Sequence, residues 1–155
     1  ISGISEHFGL PPDIFCSWLH TINYVRNLCA HHSRLWNRDL NIVPKRLSFS
    51  KSKIWLTNPK TVQRSKMYYF LSMLNYLLQT SNPNSSFKLR LYALLDDYKH
   101  VVNHRAMGFL QDWDKEKMNT KSDIRFRKKM GGEAIPLPIQ IHLQHLRCNP
   151  HHRSC

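Results

Sequence analysis

The side chains with the greatest chemical capacity are concentrated in residues 26–38, which hold three arginines, two adjacent histidines and two asparagines. An arginine side chain can hold two phosphate oxygens at once and can stabilise negative charge that develops on phosphorus. A histidine, whose ordinary pKa is about 6.5, can take or give a proton at neutral pH. Together these groups suit metal-independent cleavage of RNA, in which the 2′-hydroxyl attacks the adjacent phosphate.

Three of these residues, Arg26, Asn27 and His31, are spaced so that they can act at one point. Asn27 and His31 are four residues apart, so they share one face of a helix. Arg26 lies about 140° around the axis from His31, and its long side chain lets it reach the same place. We take all three as candidate catalytic residues, in which Arg26 binds phosphate, His31 acts as acid or base and Asn27 orients the site.

The candidate substrate-binding residues extend beyond this cluster. They are His32, Arg34, Arg38, Lys45, Arg46, Lys51 and Lys53. His32 is about 100° from His31 around a helix, in line with the apolar stripe, which favours packing or capping over catalysis. Arg34 and Arg38 would hold the RNA backbone, and the basic segment 41–66 would steer RNA by charge.

A structural interpretation of the same cluster stays open. The dipole of a helix favours cations at its C-terminal end, and a histidine there can cap the last carbonyls. In that case Arg26 and His31 serve the fold or a dimer. The protein is then a non-catalytic helical module that binds nucleic acid or a partner protein, and an RNA-digestion assay separates the two interpretations.

A long amphipathic helix is predicted to position the cluster. It begins in the sequence Pro11-Pro12-Asp13, with Asp13 as the predicted N-cap. Apolar side chains then recur every three or four residues from Ile14 to Cys29, which is the helical period. The spacing predicts about five turns within residues 11–33.

Two further helices are expected after a basic, serine-rich loop over residues 34–57. Asn58 and Pro59 are a good N-cap and first residue for a helix that extends to Gln79. Ser86 can cap another helix, whose apolar repeat continues to Val102. Nothing in residues 1–119 alternates with period two over a useful length, so the predicted fold class is all-α.

Residues 120–155 differ from the rest and are predicted to form a separate, irregular and mobile C-terminal tail. Their first part is basic and polar, and two glycines interrupt it at Gly131 and Gly132. Residues 135–143 alternate like a strand, but Pro136 and Pro138 limit them to an edge strand or an extended segment. The predicted division is therefore a helical domain over 1–119 and a tail over 120–155.

The charge of the chain favours a polyanionic partner. The sequence has 23 Lys and Arg against 10 Asp and Glu, a net charge of +13. Residues 41–80 contain seven basic side chains and no acid, a footprint for RNA or DNA unless the surface is merely solvated.

Several other classes are excluded or disfavoured by the composition. No apolar run approaches the roughly 18–20 residues of a membrane span, so no membrane partner is predicted. The five glycines form no phosphate-binding loop, which disfavours the common nucleotide-binding folds. The four cysteines form no dense framework and no secretory signal is visible, so we expect reduced thiols in a cytoplasm.

Other candidate sites are weaker. The tail could offer four zinc ligands, Cys148, His151, His152 and Cys155. Their spacing is too compact for the usual pairs of ligands, so no metal or cofactor is predicted. His100 and His104 share a helical face, where packing is commoner than ligation. Tyr24, Trp36 and Trp55 could stack on bases, with Trp55 the best placed among lysines, although burial is the commoner fate of large aromatics.

The run RNLCAHHSRLWNRDL, residues 26–40, resembles the signature of the Abi family, bacterial abortive-infection proteins of the AbiD/AbiF kind. Three more segments are similar to that family: Phe8-Gly9-Leu10, Ser17-Trp18-Leu19, and Met107-Gly108-Phe109 with Trp113. The resemblance covers about residues 4–117. The family is placed in the HEPN superfamily, whose mark is an arginine followed after four to six residues by a histidine. Arg26-Asn27-x3-His31 matches that mark.

The resemblance implies a HEPN-like helical bundle and a cytoplasmic bacterial protein of phage defence. Many HEPN proteins are metal-independent endoribonucleases and commonly homodimers, with the site shared between two copies. The resemblance therefore implies RNA as partner, a homodimer and no cofactor, with any antitoxin or regulatory partner unspecified. Because family members are about twice as long, we expect the chain to be the C-terminal portion of a longer protein. Residues 120–155 resemble nothing in the family.

Overall fold

The computed structural model describes residues 2–48, 54–111 and 113, and these residues form four helices without a strand. The helices are α1 (Ser2–His7), α2 (Pro12–Ala30), α3 (Met67–Ser81) and α4 (Phe87–Asp97). The predicted all-α fold class is confirmed. The tail over residues 120–155, with its four candidate zinc ligands, lies outside the described residues.

Helix α2 carries the candidate site and matches its predicted extent, but its start differs. The N-cap position is Pro11, which makes no side-chain cap hydrogen bond, and Pro12 is the first helical residue. The prediction of Asp13 as N-cap was wrong because the fixed φ of Pro12 already suits the first helical position. Asp13 lies in the first turn instead, where the helix dipole favours a negative charge.

Helix α3 begins at Met67, so the predicted start at Asn58 and Pro59 was wrong. Other parts of the chain use the carbonyls that a helix over residues 58–66 would need. The guanidinium of Arg46 donates to the carbonyls of Pro59 and Val62. The Leu40 N–H donates to the Ser65 carbonyl at 2.7 Å. These bonds hold residues 58–66 in turns.

Helix α4 is shorter than the apolar repeat predicted. Ser86 is at the N-cap position, as expected, but the Phe87 N–H donates to the Ser85 hydroxyl at 3.3 Å instead. The helix ends at Asp97, and residues 98–101 follow in turns, so the predicted end at Val102 was wrong. Helix α1 was not predicted.

An aromatic cluster joins α2 and α3 to the segment between them. Trp18, Trp55, Tyr69 and Tyr76 are all at most 3% exposed. The rings of Trp18 and Trp55 lie 5.2 Å apart, and Trp55 meets Tyr69 and Tyr76 edge to face at 5.6 Å. Trp55 is therefore a core residue, which confirms burial, the commoner of its two predicted roles, over base stacking.

The same indoles fix the basic segment to the core. Trp18 Nε1 donates to the Lys45 carbonyl at 2.9 Å, and Trp55 Nε1 donates to the Leu47 carbonyl at 3.0 Å. The Leu47 N–H donates to the Tyr69 hydroxyl at 3.0 Å. Residues 45–47 are irregular in conformation but closely tied to α2 and α3.

Residues 107–109 close over the start of α3. The Tyr68 N–H donates to the Met107 carbonyl at 2.9 Å, and the rings of Tyr68 and Phe109 lie 4.5 Å apart. Gly108 has a φ of +86°, and a Cβ added to it would lie 2.5 Å from Lys66 Cβ. This close approach in the left-handed region requires glycine.

Candidate functional site

Helix α2 ends in a backbone cap directly at the histidine pair. The His32 N–H donates to the Cys29 carbonyl at 3.0 Å, and the Ser33 N–H donates to the Leu28 carbonyl at 2.9 Å. These two bonds form a Schellman motif, in which the residue after the C-cap has a left-handed backbone. That residue is His32, with a φ of 52°.

Arg26, Asn27 and His31 lie together on the last turn of α2, and all three are exposed. The Arg26 guanidinium donates to Asn27 Oδ1 at 3.2 Å. His31 is the C-cap residue, and its N–H donates to the Asn27 carbonyl at 3.1 Å. His31 thus follows Asn27 by one helical turn, which is the relation that the spacing predicts.

An exposed strip along α2 leads to this cluster. Its residues recur every three or four positions, and three of them are apolar or small whereas the other four are polar: Cys16, Leu19, His20, Asn23, Arg26, Asn27 and Ala30. The opposite side of the helix is buried through Phe15, Trp18, Thr21 and Val25. Burial of that side therefore fixes which face of α2 the site occupies.

Arg34 and Arg38 follow the cap on an anchored turn. The Arg38 N–H donates to the Leu35 carbonyl at 3.2 Å, and the side chains of Leu35 and Trp36 pack against the core. Packing is thus the observed role of Trp36. Arg34 is exposed and Arg38 is half-buried.

Lys45 and Arg46, the two substrate-binding candidates of the basic segment that the structure describes, have different environments. Lys45 is exposed, and its ammonium pairs with Asp13 Oδ2 at 3.1 Å. Arg46 is half-buried: its guanidinium donates to backbone carbonyls and lies 5.9 Å from the centre of the Tyr69 ring. Arg46 therefore stabilises the fold of the segment. Lys51 and Lys53 lie outside the described residues.

Asp13 and Asp39 are held by lysines. A hydrogen bond from Lys45 lowers the pKa of Asp13, and hydrogen bonds from Lys66 and then Ser65 lower the pKa of Asp39. The Lys66 ammonium lies 2.8 Å from Asp39 Oδ2. Asp39 is the only acidic residue between Asp13 and Asp96 in the sequence, so basic side chains strongly outnumber acids over this length.

Sequence reasoning missed a buried amide in α3. Asn75 is 1% exposed, and neither polar atom of its side chain has a hydrogen-bond partner among the described residues. It lines a small cavity with residues of α3, α4 and the segment after Gly108: Tyr68, Leu71, Lys88, Leu91, Tyr92, Phe109 and Trp113. None of the lining residues comes from the cluster on α2. The sequence signal is an amide within the apolar repeat of a helix.

The remaining histidine candidates give no metal site. The described residues contain no group of three His, Cys, Asp or Glu side chains that could hold a metal ion. The His104 ring lies 5.5 Å from the Phe109 ring and 5.8 Å from the Trp113 ring, whereas His100 is exposed. His104 is a packing residue. Within the described part of the chain, no helix has the length and apolar character needed to cross a membrane.

Residues 2–37 match the model of a family described as Abi-like protein. The match supports the resemblance of the chain to Abi-like proteins. It spans α1, α2 and the cap, and so includes Arg26, Asn27 and both histidines of the Abi-like segment. No curated protein and no solved structure matches the chain.

Proposed function

We propose that this protein acts in abortive infection, as a phage-defence protein that cleaves RNA without a metal ion. The match to Abi-like proteins supports the defence role in general. The observation that carries the chemistry is the exposed end of α2, where Arg26 bonds Asn27 at 3.2 Å and His31 follows one turn later. The excess of basic over acidic residues supports RNA as the substrate.

In the proposed reaction Arg26 binds the scissile phosphate and stabilises the charge that develops on it. His31 accepts the proton of the 2′-hydroxyl as general base. The oxygen of that hydroxyl attacks the adjacent phosphorus, the bond to the 5′-oxygen breaks, and a 2′,3′-cyclic phosphate forms. Asn27 orients the guanidinium through Oδ1, and Arg34 and Arg38 bind neighbouring phosphates.

The leaving 5′-oxygen needs a proton, and a homodimer supplies a second histidine for it. We place the exposed strip of α2 at the dimer interface, because it combines Cys16, Leu19 and Ala30 with the arginine and asparagine side chains. Two copies in contact along this strip would bring their His31 residues to one site. One histidine then acts as base and the other as acid.

Digestion of a defined single-stranded RNA in the presence of EDTA tests the proposal. We expect cleavage that persists without metal and products with 2′,3′-cyclic phosphate ends. His31→Ala should reduce the rate by about 100-fold or more, the usual scale for a general acid or base. His100→Ala is the matched control, since His100 is exposed and lies after α4.

Two results would contradict the proposal. If the folded protein binds RNA but does not cleave it, the protein is a non-catalytic nucleic-acid-binding module. If His31→Ala retains cleavage and His32→Ala abolishes it, the roles assigned to the two histidines are wrong.

A further inference from the structure

His32 is the one described residue other than glycine with a positive φ, 52°. An L-residue is disfavoured in this left-handed region because its Cβ crowds a neighbouring carbonyl oxygen, and glycine avoids that contact. Backbone strain of this kind persists mainly where it serves a function. The identity of the side chain at this position therefore needs a reason.

The end of α1 shows the same motif built with glycine. The Gly9 N–H donates to the Glu6 carbonyl at 2.8 Å, and the Leu10 N–H donates to the Ser5 carbonyl at 3.0 Å. Gly9 has a φ of 61°. The bonds correspond one to one to those of His32 and Ser33, so the cap itself needs only a backbone N–H.

The imidazole of His32 does not serve the cap or the core. The side chain is exposed, and among the described residues it has no hydrogen bond, ion pair or ring contact. Of packing and capping, the two roles expected for His32, the structure shows capping alone. The cap uses only the backbone N–H of His32, so the imidazole is available to a ligand.

The surroundings of His32 in the chain are cationic. Residues 14–38 contain no acid, and Arg26 and Arg34 lie on either side of the histidine pair. Histidine and asparagine are among the side chains that tolerate the left-handed region best. Of these two, only histidine can also carry a positive charge toward a phosphate.

We propose that the imidazole of His32 binds an RNA phosphate beside the one that Arg26 holds, and that the strained backbone is the cost of keeping a cation-forming side chain there. This inference rests on the proposed action on RNA. His32 is then a substrate-binding residue whose replacement by glycine improves the fold and weakens the function.

Two substitutions separate the side chain from the strain. His32→Gly removes both, and His32→Ala removes the imidazole but keeps a Cβ in the left-handed region. We expect both variants to bind a short single-stranded RNA about 10-fold more weakly, the scale of one hydrogen bond to a charged group. His32→Gly should unfold at the same temperature as the unsubstituted protein or a few degrees higher, and His32→Ala should unfold below His32→Gly. Fluorescence anisotropy with labelled RNA and thermal unfolding measure the two properties.

Gly9→Ala is the matched control, because it introduces a Cβ in the same motif away from the cluster. It should lower the unfolding temperature and leave RNA affinity unchanged. The inference is overturned if His32→Gly binds RNA as well as the unsubstituted protein, or if it unfolds at a lower temperature. A protein that binds no RNA before any substitution overturns the proposed function together with this inference.

Discussion

The Arg26 guanidinium is oriented by a neutral partner, the Asn27 amide, so its positive charge stays available to a substrate. Under the proposed mechanism, Arg26→Lys should reduce kcat/KM on RNA by about 10-fold or more, because an ammonium cannot bind two phosphate oxygens in a planar fork. Steady-state kinetics on a defined oligonucleotide measure this. Unchanged kinetics in Arg26→Lys would mean that the arginine acts only as a point charge.

Within the described part of the chain, Asn75 has two buried polar side-chain atoms that lack a hydrogen-bond partner. Its amide is buried without a described partner and lines a small cavity between α3 and α4. Asn75→Leu should therefore raise the free energy of unfolding by about 1–3 kcal/mol, the cost of an unsatisfied buried polar group. Urea denaturation measures the change. A loss of stability would indicate instead that an ordered water satisfies the amide.

At the scale of single elements, the two neighbouring basic residues of the loop should behave differently. Lys45→Gln should leave stability nearly unchanged, because an exposed ion pair contributes little. It should lower the log–log salt slope of RNA binding by about 0.7 if Lys45 contacts a phosphate. Arg46→Gln should instead lower the free energy of unfolding by about 1–3 kcal/mol, since the carbonyls of Pro59 and Val62 lose their donor.

Chemical denaturation and salt titrations of RNA binding, performed on both variants, measure this contrast. Equal stability of the two would contradict the structural role of Arg46. An unchanged salt slope in Lys45→Gln would mean that Lys45 contacts no phosphate.

The Asp39–Lys66 pair should make stability depend on acid pH. The pKa of Asp39 is lowered from its usual 3.8 by hydrogen bonds from Lys66 and Ser65. Because the folded-state pKa is the lower one, the contribution is complete above the usual value and is lost as pH falls through the folded-state value. Asp39→Asn should flatten the corresponding part of a thermal unfolding profile between about pH 6 and about pH 2. An identical profile in the variant would assign the acid sensitivity to other carboxylates.

The elements that the sequence predicts well are those whose signals are local. The apolar period predicts helix α2, and the four-residue spacing correctly places His31 one turn after Asn27, at the C-cap of that helix. The start of α3 does not follow, because Asn58 and Pro59 are good local start signals that bonds from distant Arg46 and Leu40 override. The sequence also does not predict the left-handed backbone of His32, because the usual signal for that conformation is a glycine.

At the scale of the whole molecule, Gly108 couples the last described segment to α3. Gly108→Ala should lower the free energy of unfolding by about 2 kcal/mol or more, from left-handed strain together with the contact to Lys66. Gly3→Ala is the control, because an added Cβ there meets nothing within 4 Å. Denaturant unfolding should show a loss for the first variant only. A neutral Gly108→Ala would mean that residues 107–109 are not closely packed on α3.

The indole bonds to the Lys45 and Leu47 carbonyls have a consequence for how the basic segment meets a polyanion. A flexible cationic loop loses conformational entropy when it is ordered on a ligand, and that loss subtracts from affinity. Residues 45–47 are already ordered by Trp18, Trp55 and Tyr69. The backbone that carries Lys45 is therefore preorganised, and a contact of Lys45 with RNA would come without the entropic penalty of folding the loop.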